Sequence, residues 1–374
     1  MNLDPRLYWI GFNLARGIGA VRMRALLDFF GNLEVAWNAP YEAYLSAGLP
    51  EKLAQRLVHN RKEVDLERVY EQITRLGIQV LTWEDIDYPK HLREINQPPP
   101  VIYLRGAFKP EDDWAIALVG TRRVTVYGRQ VTEQIASALV KNGLTVVSGL
   151  ARGTDAIAHE IALKEGGRTI AVLGSGIDRI YPPENTNLAK RIAENGAVIS
   201  DYAPGTPPDS VNFPPRNRII SGLSLATIVV EAGETSGALI TSTFAAEQGR
   251  EVFAVPGSIL APQSRGTNRL IQQGAHPYLD VKDVLEVLHL TKAQEQRSAQ
   301  QLLPVDEVEN CLLNLLGDEP VHVDELCVQS GLSIDRVSAT LALLELKGYA
   351  RSAGGMNYVI AREAPKEYSV HGDL

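Results

Sequence analysis

Six short, largely apolar runs constrain this chain more than any other feature of it. They lie at 115–119, 144–147, 169–173, 197–199, 225–230 and 251–255, and the first four are followed directly by glycine or serine. A strand with one wet face alternates apolar and polar residues; these do not, so both faces of the sheet they form must be covered. Helical segments separate several of them. Val131, Ile135 and Leu139 recur every four residues before Asn142-Gly143 supplies a stop. Strand and helix alternating in this way predict a parallel, doubly wound α/β sheet.

The chain has 374 residues, more than one such sheet needs, and the pattern changes on either side of it. Residues 1–75 read as helical: Val21, Leu26, Leu27 and Phe30 follow Gly17-Ile-Gly19, and Leu53, Leu57 and Val58 follow Pro50. The Gly-x-Gly turn either presents backbone N–H groups to a DNA phosphate or lets two helices pack closely, and packing is the preferred reading. Residues 76–290 hold the sheet, entered through Gln97-Pro-Pro-Pro100 with an edge strand predicted at 101–104. A polar linker is predicted at 291–304. Over 305–374, three helical patterns at 308–316, 323–327 and 334–344, then a hairpin near 348–360, predict a winged helix with a C-terminal tail. Its third helix carries Asp335 and Glu345 beside Arg336 and Lys347, without the basic excess that contact with phosphate requires, so partner docking competes there with DNA reading.

A net charge of −8 argues against a protein that coats polyanions through its overall field, so any such site must be a local patch. The longest apolar runs fall far short of the ~20 residues that span a bilayer, and no basic-then-apolar leader is present, so a cytoplasmic protein without a membrane partner is expected. Cys311 and Cys327 lack metal or redox spacing and the seven histidines are scattered. Neither metal nor cofactor is expected.

In an open α/β sheet, ligands bind beyond the carboxyl ends of the strands. There the chain places Val119-Gly-Thr-Arg-Arg123, Ser148-Gly-Leu-Ala-Arg-Gly-Thr-Asp155, Gly174-Ser-Gly-Ile-Asp178 and Glu231-Ala-Gly-Glu-Thr-Ser-Gly237. Glycines permit close backbone approach and helix starts attract anions, although tight turns need glycine with or without a ligand. The pattern is neither the dinucleotide fingerprint nor a P-loop. Arg122, Arg123 and Arg152 follow strands, and Arg216 and Arg218 flank Asn217. A pair two apart can clamp phosphate oxygens, the plainer alternative being solvated ion pairs. A basic rim of this kind suits a groove that tracks a nucleic-acid backbone.

Gly120-Thr-Arg, Ser148-Gly-Leu-Ala-Arg-Gly-Thr-Asp-Ala-Ile-Ala-His159, Leu173-Gly-Ser-Gly-Ile-Asp178, Tyr181-Pro182, Phe213-Pro-Pro-Arg-Asn-Arg-Ile-Ile-Ser-Gly-Leu-Ser224, Ser236-Gly-Ala-Leu-Ile240, Gln248-Gly-Arg-Glu-Val-Phe-Ala-Val-Pro-Gly257 and Asn268-Arg-Leu-Ile-Gln-Gln-Gly274 occur in this order. The chain so resembles the bacterial DNA-processing protein family DprA, also called Smf, most densely over 115–280. The resemblance implies an extended Rossmann-like core that binds single-stranded DNA, protects incoming strands in natural transformation, loads the recombinase RecA and dimerises. It implies DNA contacts at Thr121 and Arg122, at the backbone around Gly149 and Gly174, Ser175 and Gly176, and at Arg216, Asn217 and Arg218. Arg123 and Arg152 join them by position alone. Where some members carry a basic residue after Tyr-Pro, this chain has Pro183-Glu184, and Lys190 or Arg191 is the candidate to compensate.

A non-enzymatic binding module is therefore expected. The alternative is a nucleotide phosphoribohydrolase, since related Rossmann-like enzymes carry a catalytic glutamate at a comparable strand end. Glu231 or Glu234 would serve, but neither has a motif-matched acid–base partner, and Asp155, Asp178 and His159 read equally well as caps and packing groups.

Overall fold

The structure, a computed structural model, describes residues 4–15, 17–290, 307–317, 320–346 and 349–360. The chain divides into two compact units, 1–284 and 285–374. The first is built on a nine-stranded sheet: β1 (Gln79–Thr82), β2 (Val101–Gly106), β3 (Ala115–Val119), β4 (Thr145–Ser148), β5 (Thr169–Val172), β6 (Ala197–Ser200), β7 (Ala226–Val229), β8 (Glu251–Ala254) and β9 (His276–Pro277). Their order is β1-β2-β6-β5-β4-β3-β7-β8-β9, and every pairing from β6 to β9 is parallel. The strands β3 to β7 are buried at every position, as the unbroken apolar runs require.

The chain winds outward from β3 to β6 and then returns to lay β7 on the other side of β3. This reversal leaves a crevice at the carboxyl ends of β3 and β7, where the covering helices part to opposite faces. The sheet is thus the doubly wound Rossmann-like class that the sequence predicts, extended by a hairpin at one margin.

That hairpin corrects one expectation. The 101–104 strand is not an edge: β2 pairs antiparallel with β1 on one side and with β6 on the other, and β1 forms the margin. Prolines before a strand suggest an edge because they cannot donate to a ladder, but Pro98, Pro99 and Pro100 all precede the first paired residue. The two-residue β9 carries too little pattern to be read from sequence.

Six helices precede the sheet: Arg6–Leu14, Ala20–Phe30, Leu33–Asn38, Tyr41–Ser46, Glu51–Glu63 and Leu66–Arg75. Their core runs without a break into that of β1, β2 and β6. Trp9 meets Trp83 edge-on at 5.7 Å, and Tyr103 on β2 donates to Asn13 Oδ1 at 2.9 Å. Helices and sheet therefore share one hydrophobic interior.

In the second unit the helices Glu307–Leu315, Val323–Ser330 and Ile334–Leu346 pack with a three-stranded sheet of Val321–His322, Ala350–Gly354 and Asn357–Ile360. Leu312, Leu326, Val337, Leu341 and Leu344 form its core. This is the winged helix that the sequence predicts, with a short third strand added. The predicted linker at 291–304, Lys347 and the tail beyond Ile360 lie outside the described residues. Among the described residues no helix is long and apolar enough to cross a membrane, and no group of three or more His, Cys, Asp or Glu could hold a metal.

Candidate nucleic-acid interface

The crevice beyond β3 and β7 opens into a cleft of about 730 Å³. Gly120, Thr121, Arg122 and Arg123 form one wall, and Gly233, Thr235, Ser236 and Gly237 another. Phe213, Pro214, Arg216 and Asn217 come from the start of the helix Phe213–Gly222. A smaller hollow adjoins it, shared by Arg122, Gly149, Arg152, Tyr181, Phe213 and Arg216. The helix Gly237–Glu247 starts at the cleft with Ser236 as its cap, so its dipole adds to the attraction for an anion.

The arginines expected to act together have different circumstances. Arg122 and Arg123 are exposed, and among the described residues neither has a carboxylate within ion-pair distance. The Arg122 guanidinium lies 5.4 Å from the centre of the Phe213 ring, and Phe213 in turn meets Tyr181 at 5.7 Å. This gives a half-exposed platform of two aromatic rings and a cation, a combination that suits stacked bases and phosphate together. Neither Tyr181 nor Phe213 is among the contacts expected from the sequence, although an aromatic close to an arginine, as Phe213 is to Arg216, was an available signal.

Arg216 is 5% exposed and forms the floor. Its Nη1 donates to Gly149 O at 2.7 Å and to Val172 O, tying the ends of β4 and β5 together. Burial lowers its pKa to about 10, with Asp155 opposing the shift. Gly149 is required here for space, because a Cβ would stand 2.7 Å from Nη2. Asp155 accepts from the N–H groups of Gly149 and Ala151 at 3.1 and 3.3 Å, and burial pushes its carboxyl up against the pull of Arg216 and these amides. Asn217 accepts from Arg216 Nε and donates to Gly237 O, which fixes the neighbouring helix start.

Arg218 does not join Arg216 in a clamp. Residues two apart on a helix project to nearly opposite sides, and Arg218 turns away to hold Asp201 at 2.9 Å and Gln97 O. It lines a different cleft. Gly174, Ser175 and Gly176 are buried and line neither hollow beyond β3. A Cβ on Gly174 would stand 2.7 Å from the Phe213 ring, and the Ser175 hydroxyl donates to Arg179 O. These glycines serve close packing beneath the site. Lys190 and Arg191 are exposed on the helix Thr186–Asn195 and line neither hollow.

Arg152 stands at the rim but is paired with Glu184, both being about half exposed. An exposed pair of this kind contributes little in water, so a phosphate can take over the guanidinium at little cost. Replacing Glu184 by Gln is expected to tighten binding of an oligonucleotide severalfold at low salt and to have no such effect when Arg152 is already Ala. Titration of the two single variants and the double variant checks this.

Glu231 is 2% exposed and faces away from the cleft. It accepts from Thr125 Oγ1 at 2.6 Å and Thr125 N at 3.0 Å, just ahead of the helix Val126–Lys141, and sits where a Cβ on Gly128 would clash. Glu234 is exposed and lines neither hollow. Asp178 accepts from Gly205 N, and His159 is bonded to Thr169, both as packing groups.

Comparison with known proteins agrees with this architecture along the chain. Residues 79–289 match the family described as DNA recombination-mediator protein A, and residues 296–356 match the DprA winged helix domain. Protein Smf of Synechocystis is 36% identical over 95% of this chain and 98% of its own. DNA processing protein DprA of Bacillus subtilis is 41% identical over 60% of this chain and 78% of its own. Among solved structures, DprA of Streptococcus pneumoniae superposes with a TM-score of 0.68 at 34% identity, covering 76% of this chain and 98% of that one. The Helicobacter pylori DNA processing protein A, whose structure concerns its single-stranded DNA binding mode, gives a TM-score of 0.51 at 34% identity, covering 56% and 95%. With the core and the wing both matched, and a relative aligned almost end to end, the chain belongs to the DprA/Smf family of DNA recombination-mediator proteins.

Proposed function

We propose that this chain binds single-stranded DNA along the carboxyl edge of its sheet, protects incoming strands and loads RecA onto them in natural transformation and recombination. It would do so as a cytoplasmic homodimer without catalysing a reaction. The observation that carries the proposal is the pair of unpaired cations, Arg122 and Arg123, beside the Tyr181–Phe213 platform at the strand-order reversal. A single strand offers phosphates and unstacked bases together, whereas a duplex keeps its bases stacked inside. The single-stranded DNA binding of the Helicobacter pylori relative supports the same ligand. The hydrolase alternative loses ground because Glu231 is occupied by Thr125 and turned from the cleft.

The test is titration of oligo-dT and of a duplex of equal length at two salt concentrations. Preference for the single strand is expected, with affinity falling as salt rises. Arg122→Ala with Arg123→Ala should weaken binding at least ~10-fold at low salt and reduce the magnitude of the log–log salt slope by about 1.4, at ~0.7 per phosphate contact on single strands. Unchanged affinity and slope in a folded double variant would place the strand elsewhere. A RecA filament-assembly assay on coated strands then tests loading.

A further inference from the structure

We infer that the small hollow beside the main cleft, lined by Arg122, Arg152 and Arg216, takes the terminal phosphate of a DNA strand, so that the chain holds strand ends as well as strand interiors. The inference rests on the strand-binding reading above and adds to it the place of the strand's end. The hollow measures about 20 Å³, against about 730 Å³ for the cleft that it adjoins. One water needs ~10–15 Å³, so the hollow admits the oxygens of a single small group and no base.

Its lining is cationic. Three arginines contribute to it, and among the described residues no carboxylate does. Arg216 is divided in use. Its Nη1 and Nε are taken by Gly149 O, Val172 O and Asn217, but Nη2 has no acceptor among the described residues and is not sealed from solvent. A Cβ on Gly149 would stand 2.7 Å from Nη2, and Gly149 lines the hollow but not the main cleft. The free end of a side chain that is only 5% exposed therefore points into the hollow. Arg122 stands near enough for its charge to repel that of Arg216. The nearest carboxylates are engaged, Asp155 by the N–H groups of Gly149 and Ala151 and Glu184 by Arg152 at the rim. An anion between the guanidinium groups relieves their repulsion, and the walls of Tyr181, Pro182 and Phe213 strengthen the contact by excluding water.

The size of the hollow selects an end over an interior position. A phosphodiester within a strand carries one negative charge and two chain attachments, and so lies along a groove. A terminal phosphate has a single attachment, three free oxygens and a charge of about −1.5 to −2 at pH 7. It can enter a narrow hollow and meet several arginine forks at once, while the nucleotides behind it run into the main cleft.

The experiment uses the full chain and unlabelled oligo-dT of one length, bearing a 5′-phosphate, a 3′-phosphate or neither, in competition with a fluorescent oligo-dT. At least one phosphorylated oligomer should compete about tenfold better than the bare one at low salt, and a gain at one end alone gives the direction of the strand. Arg152→Ala, at an exposed position, should lose most of that advantage. Arg123 lines the main cleft but not the hollow, so Arg123→Ala should weaken all three oligomers alike and keep their ratio. Equal competition by the three oligomers overturns the inference. So does a ratio that falls as far in Arg123→Ala as in Arg152→Ala, or one that Arg152→Ala leaves unchanged in a protein melting like the wild type. Each of these outcomes leaves the strand-binding reading standing, whereas a chain that binds no oligomer overturns that reading and the inference with it.

Discussion

Replacing Arg216 by Ala is expected to cost about 3–5 kcal/mol of folding stability, the range found when one member of a buried charged network is removed. Its Nη1 bridges Gly149 O and Val172 O, and the substitution leaves both acceptors without that donor. Asp155 loses the one cation that opposes its burial. Arg216→Met, which keeps much of the volume, should recover packing but not the bridge and should remain well below wild type. Urea unfolding monitored by tryptophan fluorescence checks this, with Arg122→Ala as the contrast: that side chain is exposed, and its loss should shift the midpoint little. Wild-type stability in Arg216→Ala would show that the guanidinium is held for ligand rather than for the fold.

The second large effect is at acid pH. Thr169 Oγ1 donates to Val146 O, so at its 2.6 Å contact with His159 it must accept, which puts the imidazole proton on Nδ1. Nε2 is buried and has no partner among the described residues. Burial, reinforced by the charge of Arg216, lowers the His159 pKa from 6.5 to about 3. The unfolded chain therefore takes up a proton below pH 6.5 that the folded chain refuses until about pH 3. The contribution is complete above pH 6.5 and falls by about 1.4 kcal/mol per pH unit below it. Asp155 and Asp201, whose carboxyls burial pushes up, act in the opposite sense. The useful measurement is accordingly the difference between wild type and His159→Asn, which retains a donor for Thr169. The variant should lose stability less steeply from pH 6.5 to pH 4; parallel slopes would refute the assignment.

The parallel sheet was legible because burial on both faces leaves an apolar run that few other elements produce. The winged helix was legible for a similar reason, through helical periods at Leu312, Val337 and Leu341. The candidate cleft was legible at its rim, where Gly120-Thr121-Arg122 follows β3 directly. What could not be read was direction and partnership. Arg216 and Arg218 look equivalent in a line of text, yet helical phase sends one into the floor and the other to Asp201. The Arg152–Glu184 pair spans 32 residues of sequence, and the Thr125–Glu231 contact spans 106, so neither leaves a local pattern. The paired position of β2 was hidden similarly, because its second neighbour is made far later in the chain.

That delay matters while the chain is being synthesised. Tyr103 pairs with Ser200, so one flank of β2 has no native partner until about a hundred more residues have been added. At ~5–20 residues per second this takes roughly 5 to 20 s. During that interval the helical segment and its hairpin have left the ribosome with an open, apolar strand edge, a template for pairing with the wrong neighbour. Arrival of Ala197–Ser200 closes that edge. The join that unites helices and sheet is therefore one point at which a nascent chain is open to mispairing.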